Sequence, residues 1–498
     1  MQDLKKQYIL AIDQGTSGTK ALIFDEQGKA CAKATEPLKT HYLDNGFVEQ
    51  DPEEILQNVL SSVKKCIDAL TSAGGDAKLI STCGISNQRE TFVIWSKEGK
   101  ALYNAVVWQC KRSIAVCERL KKQNLQQTIK EKTGLLIDPY FSATKLIWLY
   151  ENVEGVRTAI NDGGAYFGTI DTWLLYKLTN GKSYTTDHTN ASRTLFFNLS
   201  TLSWDKELLN EFGLSKLNLP DCKPSSHLFG ETDFNGILNE PISISAMIGD
   251  SHAAAFGEGC YKPGTAKATM GTGCSILMNI GKEIKYSDNG MVTTICWSMP
   301  GNVQYALEGV IVTCGATIEW LKNELGFFTD SRQTEAMALS VEDNNNVYLI
   351  PAFSGLGAPH WNMSTRALIT GLTFSVNKNH IVRAALESIP YQIKDVVMAM
   401  ETDTKIELRQ LMVDGGISSN NFVLQFLSDL LDKPVTNIGI ADVSALGAAY
   451  LAGLQQKIYK DLDHLSELNT EKKIIAPTGN AKINVWYEEW RRVVGAMI

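Results

Sequence analysis

The fold is decided by YILAIDQGTSGTKALIFD, residues 8–25. An apolar run ends at Asp13, a turn of glycines and hydroxyls follows, and a second apolar run begins at Ala21. That pattern predicts strand, tight turn, strand. Glycines let the backbone turn sharply and leave its N–H groups free for an anion. Thr16, Ser17 and Thr19 add hydroxyl donors, and Lys20 adds positive charge. Asp13, at the strand end, is placed to hold a hydrated Mg2+, which favours carboxylate, water and phosphate oxygens. The stretch is not a Walker A loop, because the spacing differs and a strand follows where a helix is needed. Taken alone, it reads equally as a plain hairpin with a polar turn.

The same pattern returns in GTAKATMGTGCSILMNIG, residues 264–281. Two copies of one hairpin suggest a duplicated domain. A boundary between the halves 1–249 and 250–498 follows. Between the hairpins, residues 51–70 read as a helix. Asp51 is the expected cap, Pro52 suits the first turn, and Glu54 completes a capping-box-like pattern. Ile55, Val59, Val63, Ile67 and Leu70 then recur at helical spacing. Residues 78–85, KLISTCGI, read as a buried strand. From Val413, VDGGISSNNFVLQFLSDLL reads as a strand end, a paired-glycine turn and a helix. Alternating strands and helices place the chain in the α/β class.

At the junction lies IGDSHAAAFGEG, residues 248–259. Asp250 has two compatible readings, a carboxylate at the mouth of a site and a helix N-cap. Ser251 and His252 invite a nucleophile pair, but adjacent residues seldom point the same way. No Gly-x-Ser-x-Gly elbow surrounds them.

The chain has 498 residues, which predicts two or three domains. Its formal net charge of −8 argues against nucleic acid as a partner, since phosphate-backbone binding needs a basic face. The ten cysteines form no Cys-x-x-Cys, so neither a metal cage nor a disulfide framework is expected. Reduced thiols, no leader in MQDLKKQYILAID and no apolar run of membrane-span length predict a cytoplasmic protein.

Two phosphate turns and an adenosine-type turn, in this order, resemble the actin/hexokinase/sugar-kinase superfamily. Within it the chain resembles the FGGY carbohydrate kinases, and among those the glycerol kinase group most. The resemblance is carried by DQGTSGTK, GISNQRETFVIW, NAVVWQCKR, DPYFSATK, GTIDTWLLYKLT, TDHTNASRTLFFN, MGTGCSILMN, YALEGV, PAFSGLGAPHW, VDGGISSNNF and SALGAAYLAG, from residue 8 to about 453. It implies two ribonuclease-H-like domains flanking a central cleft, with ATP as phosphoryl donor and Mg2+ as its metal cofactor. Thr16, Ser17 and Lys20 would meet phosphates, and Thr272, Gly315, Gly416 and Asn420 would hold the nucleotide. Arg89, Glu90, Trp108 and Tyr140 would form the polyol site, and Asp250 would be the general base. On the residues alone, Arg89–Glu90 reads as a surface ion pair and Trp108 as a core aromatic.

The chain departs from that pattern at several places. Ser251 stands where glycerol kinases carry Gln, and Ser275 where they carry Phe. Both changes predict a larger, more polar pocket, open to a four- or five-carbon polyol or ketose as well as glycerol. Glu319 stands in place of a nucleotide-site Gln. His360 and Asn362 replace Tyr and Asp. A homodimer or homotetramer is implied by the resemblance only. The rival of a different class is a non-catalytic ATP-switched module of the actin type, which lacks the Arg89, Glu90, Trp108 and Tyr140 set.

Overall fold

The computed structural model describes residues 7–468, 472–480 and 482–498. Residues 1–6, part of the segment expected to carry no leader, lie outside the described residues.

The first sheet is built around the expected hairpin. Strand Tyr8–Gly15 pairs antiparallel with Gly18–Phe24, which pairs with Ala30–Pro37. On its other side Tyr8–Gly15 runs parallel to Ile80–Asn87, which runs parallel to Ile242–Gly249. Ser226–Thr232 closes that edge. The second sheet repeats the plan. Thr265–Met270 forms a hairpin with Cys274–Gly281, and Asn302–Ile311 lies beyond it. Thr265–Met270 also runs parallel to Gln410–Asp414, and that strand to Val435–Asn437. Val292–Met299 and Lys473–Ile475 form the edges. The duplication suggested by two short hairpins therefore extends over two whole sheets.

A crossover helix joins hairpin to parallel strand in each half, Pro52–Ser72 in the first and Lys378–Thr404 in the second. Asp51 caps the former by accepting from the Glu53 N–H at 2.8 Å, and all five predicted apolar positions are buried. Glu54 does not complete a capping box. Its carboxylate reaches away from the cap and accepts from the Lys39 N–H at 3.0 Å.

Two helices pack between the sheets at the junction of the halves. Asp250–Gly257 packs on Thr265–Met270, Cys274–Gly281 and Val292–Met299 of the second sheet. Val443–Gln455 packs on Tyr8–Gly15, Ile80–Asn87 and Ile242–Gly249 of the first. One shared core contains Ile9, Ala11 and Leu22 from one sheet and Leu277, Cys296 and Met412 from the other. The two helices touch backbone to backbone. A Cβ on Gly447 would stand 1.9 Å from the Ala253 carbonyl oxygen, so only glycine fits there.

A five-stranded sheet, including Phe92–Ser96 and Ala165–Thr169, is inserted in the first half. All ten cysteines are free thiols. Among the described residues no helix is long and apolar enough to cross a membrane.

Candidate active site

The strand Ile80–Asn87 ends at the cleft and delivers Arg89 and Glu90 just past its tip. Glu90 holds a left-handed backbone, φ 60°, an uncommon choice for a side-chain-bearing residue and one associated with functional sites. The two are not a surface ion pair. Glu90 is fully buried and accepts from Arg193 Nε at 2.6 Å. Arg89 places Nη2 at 2.9 Å from Glu308 and Nε at 3.2 Å from Asp250. Arg193 Nη1 lies 2.7 Å from the second Glu308 oxygen. Burial raises the Glu90 carboxyl above its usual range against the pull of Arg193 and Arg89. Burial opposes ionisation of Glu308 too, but Arg193 and Arg89 outweigh it and hold that carboxyl well below the usual range.

Glu308 and Arg193 were not singled out from the sequence. Both fall inside motifs that carried the resemblance, and a Glu amid the apolar strand Asn302–Ile311 was the available signal.

All seven expected substrate residues line one cavity of about 280 Å³: Arg89, Glu90, Trp108, Tyr140, Asp250, Ser251 and Ser275. Trp108 and Tyr140 meet edge to face, with centroids 5.5 Å apart, and give an apolar wall. The Ser251 and Ser275 hydroxyls are 3.5 Å apart, and Ser275 donates to Glu308 at 3.3 Å. Two buried polar atoms of this group have no hydrogen-bond partner, Glu90 Oε2 and Arg89 Nη1. Buried polar atoms are normally paired, so this carboxylate and guanidinium are under-satisfied in residues that line the cavity.

Asp250 is the first residue of its helix, and Gly249 is the N-cap. The Asp250 side chain therefore leaves the helix end and is 39% exposed to the cleft, while accepting from the Ser251 N–H at 2.6 Å. The expected N-cap role passes to a glycine whose side chain cannot cap. The Ser251–His252 pair is absent. Both His252 ring nitrogens are buried without a partner, and burial, then Arg89, depress the imidazole far below its usual value.

A second cavity, about 500 Å³, adjoins the first through Thr269, Asp414 and Ser444. Asp13 and Lys20 line it, opposite Gly415, Ser418 and Ser419. Thr16 is drawn instead to the first cavity, where its hydroxyl accepts from Trp108 Nε1 at 2.9 Å. Ser17 is exposed at the first turn and Thr272 at the second. Gly315 packs its N–H on the Gly271 carbonyl at 2.9 Å. Gly416 is open, and Asn420 caps the helix Asn421–Leu431. Thr272, Gly315, Gly416 and Asn420 line neither cavity. Lys20 is held by Asp442 at 3.0 Å, and Lys33 takes the other Asp442 oxygen at 2.6 Å. Burial pushes the Asp13 carboxyl up to about 6, against Lys20 and with the Asp250 charge adding to it.

Among the described residues no three His, Cys, Asp or Glu side chains gather as a metal cage. Asp13, strained by burial and by the Asp250 charge, fits a hydrated cation shared with phosphate oxygens. Glu319 accepts from Ser331 at 3.0 Å, so its carboxylate is engaged at the surface. Asn362 fixes a turn by accepting from the Ser364 N–H and hydroxyl at 3.1 and 2.7 Å. His360 Nε2 lies 3.7 Å from Asp395.

The model of the N-terminal domain of the FGGY family of carbohydrate kinases matches residues 8–257, and that of the C-terminal domain matches residues 266–455. The chain belongs to the FGGY family of carbohydrate kinases. Its FGGY relatives include a glycerol kinase of Thermoanaerobacter sp. (strain X514), 46% identical over 98% of both chains. A glycerol kinase of Bacillus velezensis is 44% identical over 98% of both chains. The FGGY fold is matched by the crystal structure of Plasmodium falciparum glycerol kinase with ADP. That match has a TM-score of 0.94 and 35% identity, over 99% of this chain and 98% of that one. A gluconate kinase from Lactobacillus acidophilus, at TM-score 0.87 and 23% identity, shares the fold alone.

Proposed function

We propose that this protein transfers the γ-phosphoryl group of ATP to glycerol, giving glycerol 3-phosphate. The observation that carries the reading is the gathering of Arg89, Glu90, Trp108, Tyr140 and Asp250 around one cavity beside the two hairpin turns. Glu90 and Arg89 line the cavity as the acceptor and donor that hydroxyls need, and Trp108 covers the carbon chain. The glycerol kinase relatives and the ADP named with the Plasmodium structure support both substrates.

In this reading Asp250 orients the attacking hydroxyl and takes its proton. The new oxygen–phosphorus bond forms as the bond from γ-phosphorus to the bridging oxygen breaks, and that electron pair leaves with ADP. Thr16, Ser17 and Lys20 serve the phosphates. Thr272, Gly315, Gly416 and Asn420 serve the rest of the nucleotide. Lys20 must leave Asp442 to do so, and Lys33 remains to neutralise that carboxylate. Mg2+, when bound, would neutralise charge on the phosphoryl oxygens, and Asp13 would hold it through water. We assign the acceptor site to the half 1–249 and the base to the half 250–498, so closure of the cleft completes the site and excludes water.

The small hydroxyl wall of Ser251 and Ser275 favours a second reading, a tetritol or pentulose kinase. Measurement of kcat/KM over glycerol, erythritol, threitol, xylulose and ribulose decides between them. A glycerol optimum supports the first; a tetritol or pentulose optimum replaces it. An actin-like switch is supported only if none is phosphorylated while ATP still binds. The reading also assigns the enzyme to the cytoplasm as a dimer or tetramer, tested by fractionation and light scattering.

A further inference from the structure

Lys267 lies at the floor of the acceptor cavity, in the middle of the core strand Thr265–Met270. Its side chain is buried, with only 2% of the residue exposed, between fully buried Ala266 and Ala268. A charge in that place is costly unless something compensates it. The ammonium makes one hydrogen bond among the described residues, donating to Thr269 Oγ1 at 2.6 Å. An ammonium has three donors, so two remain.

The register shows where they are. Lys267 pairs with Met412 and Thr269 with Asp414 in the parallel ladder. With the two-residue period of a strand, Lys267, Thr269 and Asp414 therefore share one face. That face meets the helix that begins with Asp250. The ammonium reaches along it toward Thr269, which lines both cavities, so it approaches the boundary between acceptor and phosphate spaces.

The nearby acids do not cancel this charge by hydrogen bonding. Both Glu258 oxygens and Asp414 Oδ1 are buried without a partner. Burial, and then the Asp414 charge, push the Glu258 carboxyl well above its usual range against the pull of Lys267. The duplication sharpens the point. In the first hairpin the residue two before Asp13 is Ala11, a small apolar residue under the helix of the other half. Two before Thr269 in the second hairpin is Lys267.

We propose that Lys267 is a catalytic cation of this site. Its two spare donors engage oxygens of the transferring phosphoryl group from the cleft floor, while Lys20 approaches from the first hairpin. No proton leaves it; the proton of the acceptor goes to Asp250, as above. Preorganised donors aimed at a site where charge redistributes act strongly because they need no reorganisation. The inference rests on the kinase reading.

The test begins with polyol-dependent ADP release by the wild-type protein; its absence overturns the kinase reading and this role with it. In an active enzyme, Lys267→Met lowers kcat by about 100- to 1,000-fold. Glycerol KM and the Kd of a non-hydrolysable ATP analogue stay within about threefold. Lys267→Ala regains turnover when ethylammonium is added, which a purely structural lysine does not allow. Glu258→Gln keeps kcat within about threefold, because that acid is a neighbour and not a reactant. Lys267→Arg, which retains charge and fold if the Met variant does not, loses more than about tenfold in kcat because its fork places the donors elsewhere. The proposal is overturned if folded Lys267→Met or Lys267→Arg keeps wild-type kcat. It is also overturned if the loss lies wholly in nucleotide binding, or if Glu258→Gln falls as far as Lys267→Met.

Discussion

The two hairpins have one backbone and opposite equipment. In the first, Asp13 lies near the end of the inner strand and Lys20 answers it from the return strand, paired at one rung. In the second, Thr269 takes the place of Asp13 and Ser275 returns opposite it. The first hairpin thus carries both signs of charge at the cleft. The second offers hydroxyls there and keeps its one cation, Lys267, buried beneath. In the proposed reading the two matching turns serve one phosphate chain. Their difference at a few inward positions gives one turn the carboxylate suited to a cation and leaves the other for the reacting end. The lesson is that symmetry of the frame locates the site, and broken symmetry assigns the roles.

The comparison can be broken at the junction first. Asp250→Asn removes the proposed base and reduces kcat by about 1,000-fold, about 4 kcal/mol, with ATP-analogue binding retained. Undiminished turnover would leave the cleft without an assigned base. Next, Arg193→Met strips Glu90 and Glu308 of a shared buried partner, at a cost of about 3–5 kcal/mol in stability, read by urea unfolding. A loss under 1 kcal/mol would show that Arg89 alone holds both acids. Gly447→Val drives side-chain atoms into the Ala253 carbonyl and lowers stability by about 3 kcal/mol, read as a fall in Tm.

Asp13 gives a pH-dependent test of the first hairpin. Its carboxyl is raised from 3.8 to about 6, so the folded state binds the proton more tightly than the unfolded chain. Stability is therefore lost as pH rises through that window. Asp13→Asn raises the Tm of the nucleotide-free protein at pH 8 and leaves it unchanged at pH 3.8, in contrast to a carboxylate that stabilises by ion pairing. Equal effects at both pH values would remove the burial account. The smallest change is Ser275→Ala. It deletes a long hydrogen bond to Glu308, 3.3 Å, and alters glycerol kcat/KM by less than about threefold.

Much of this was legible in the sequence because it is local. A glycine turn between apolar runs gives a hairpin whatever surrounds it, and the helix from Asp51 shows its cap and its buried stripe directly. The gathering of the first cavity's residues was legible only through long motifs, since Arg89 and Glu90 alone look like a surface pair. What stayed hidden was pairing across the chain. Glu308 lies more than 200 residues from Arg89, and Asp442 more than 400 from Lys20. No local pattern announces such partners. The Asp250 N-cap expectation failed for a related reason, because the preceding glycine already supplies the cap geometry and frees the carboxylate for the cleft.

The helix Val443–Gln455 bears on how the chain holds together. It is encoded in the second half and completes the first sheet, so 7–249 does not enclose its own interior. Separated, the first half would present to water the surface now covered by that helix. Melting should therefore be a single cooperative event despite the two sheets. The first half, expressed as a fragment, should gain order only when mixed with the second.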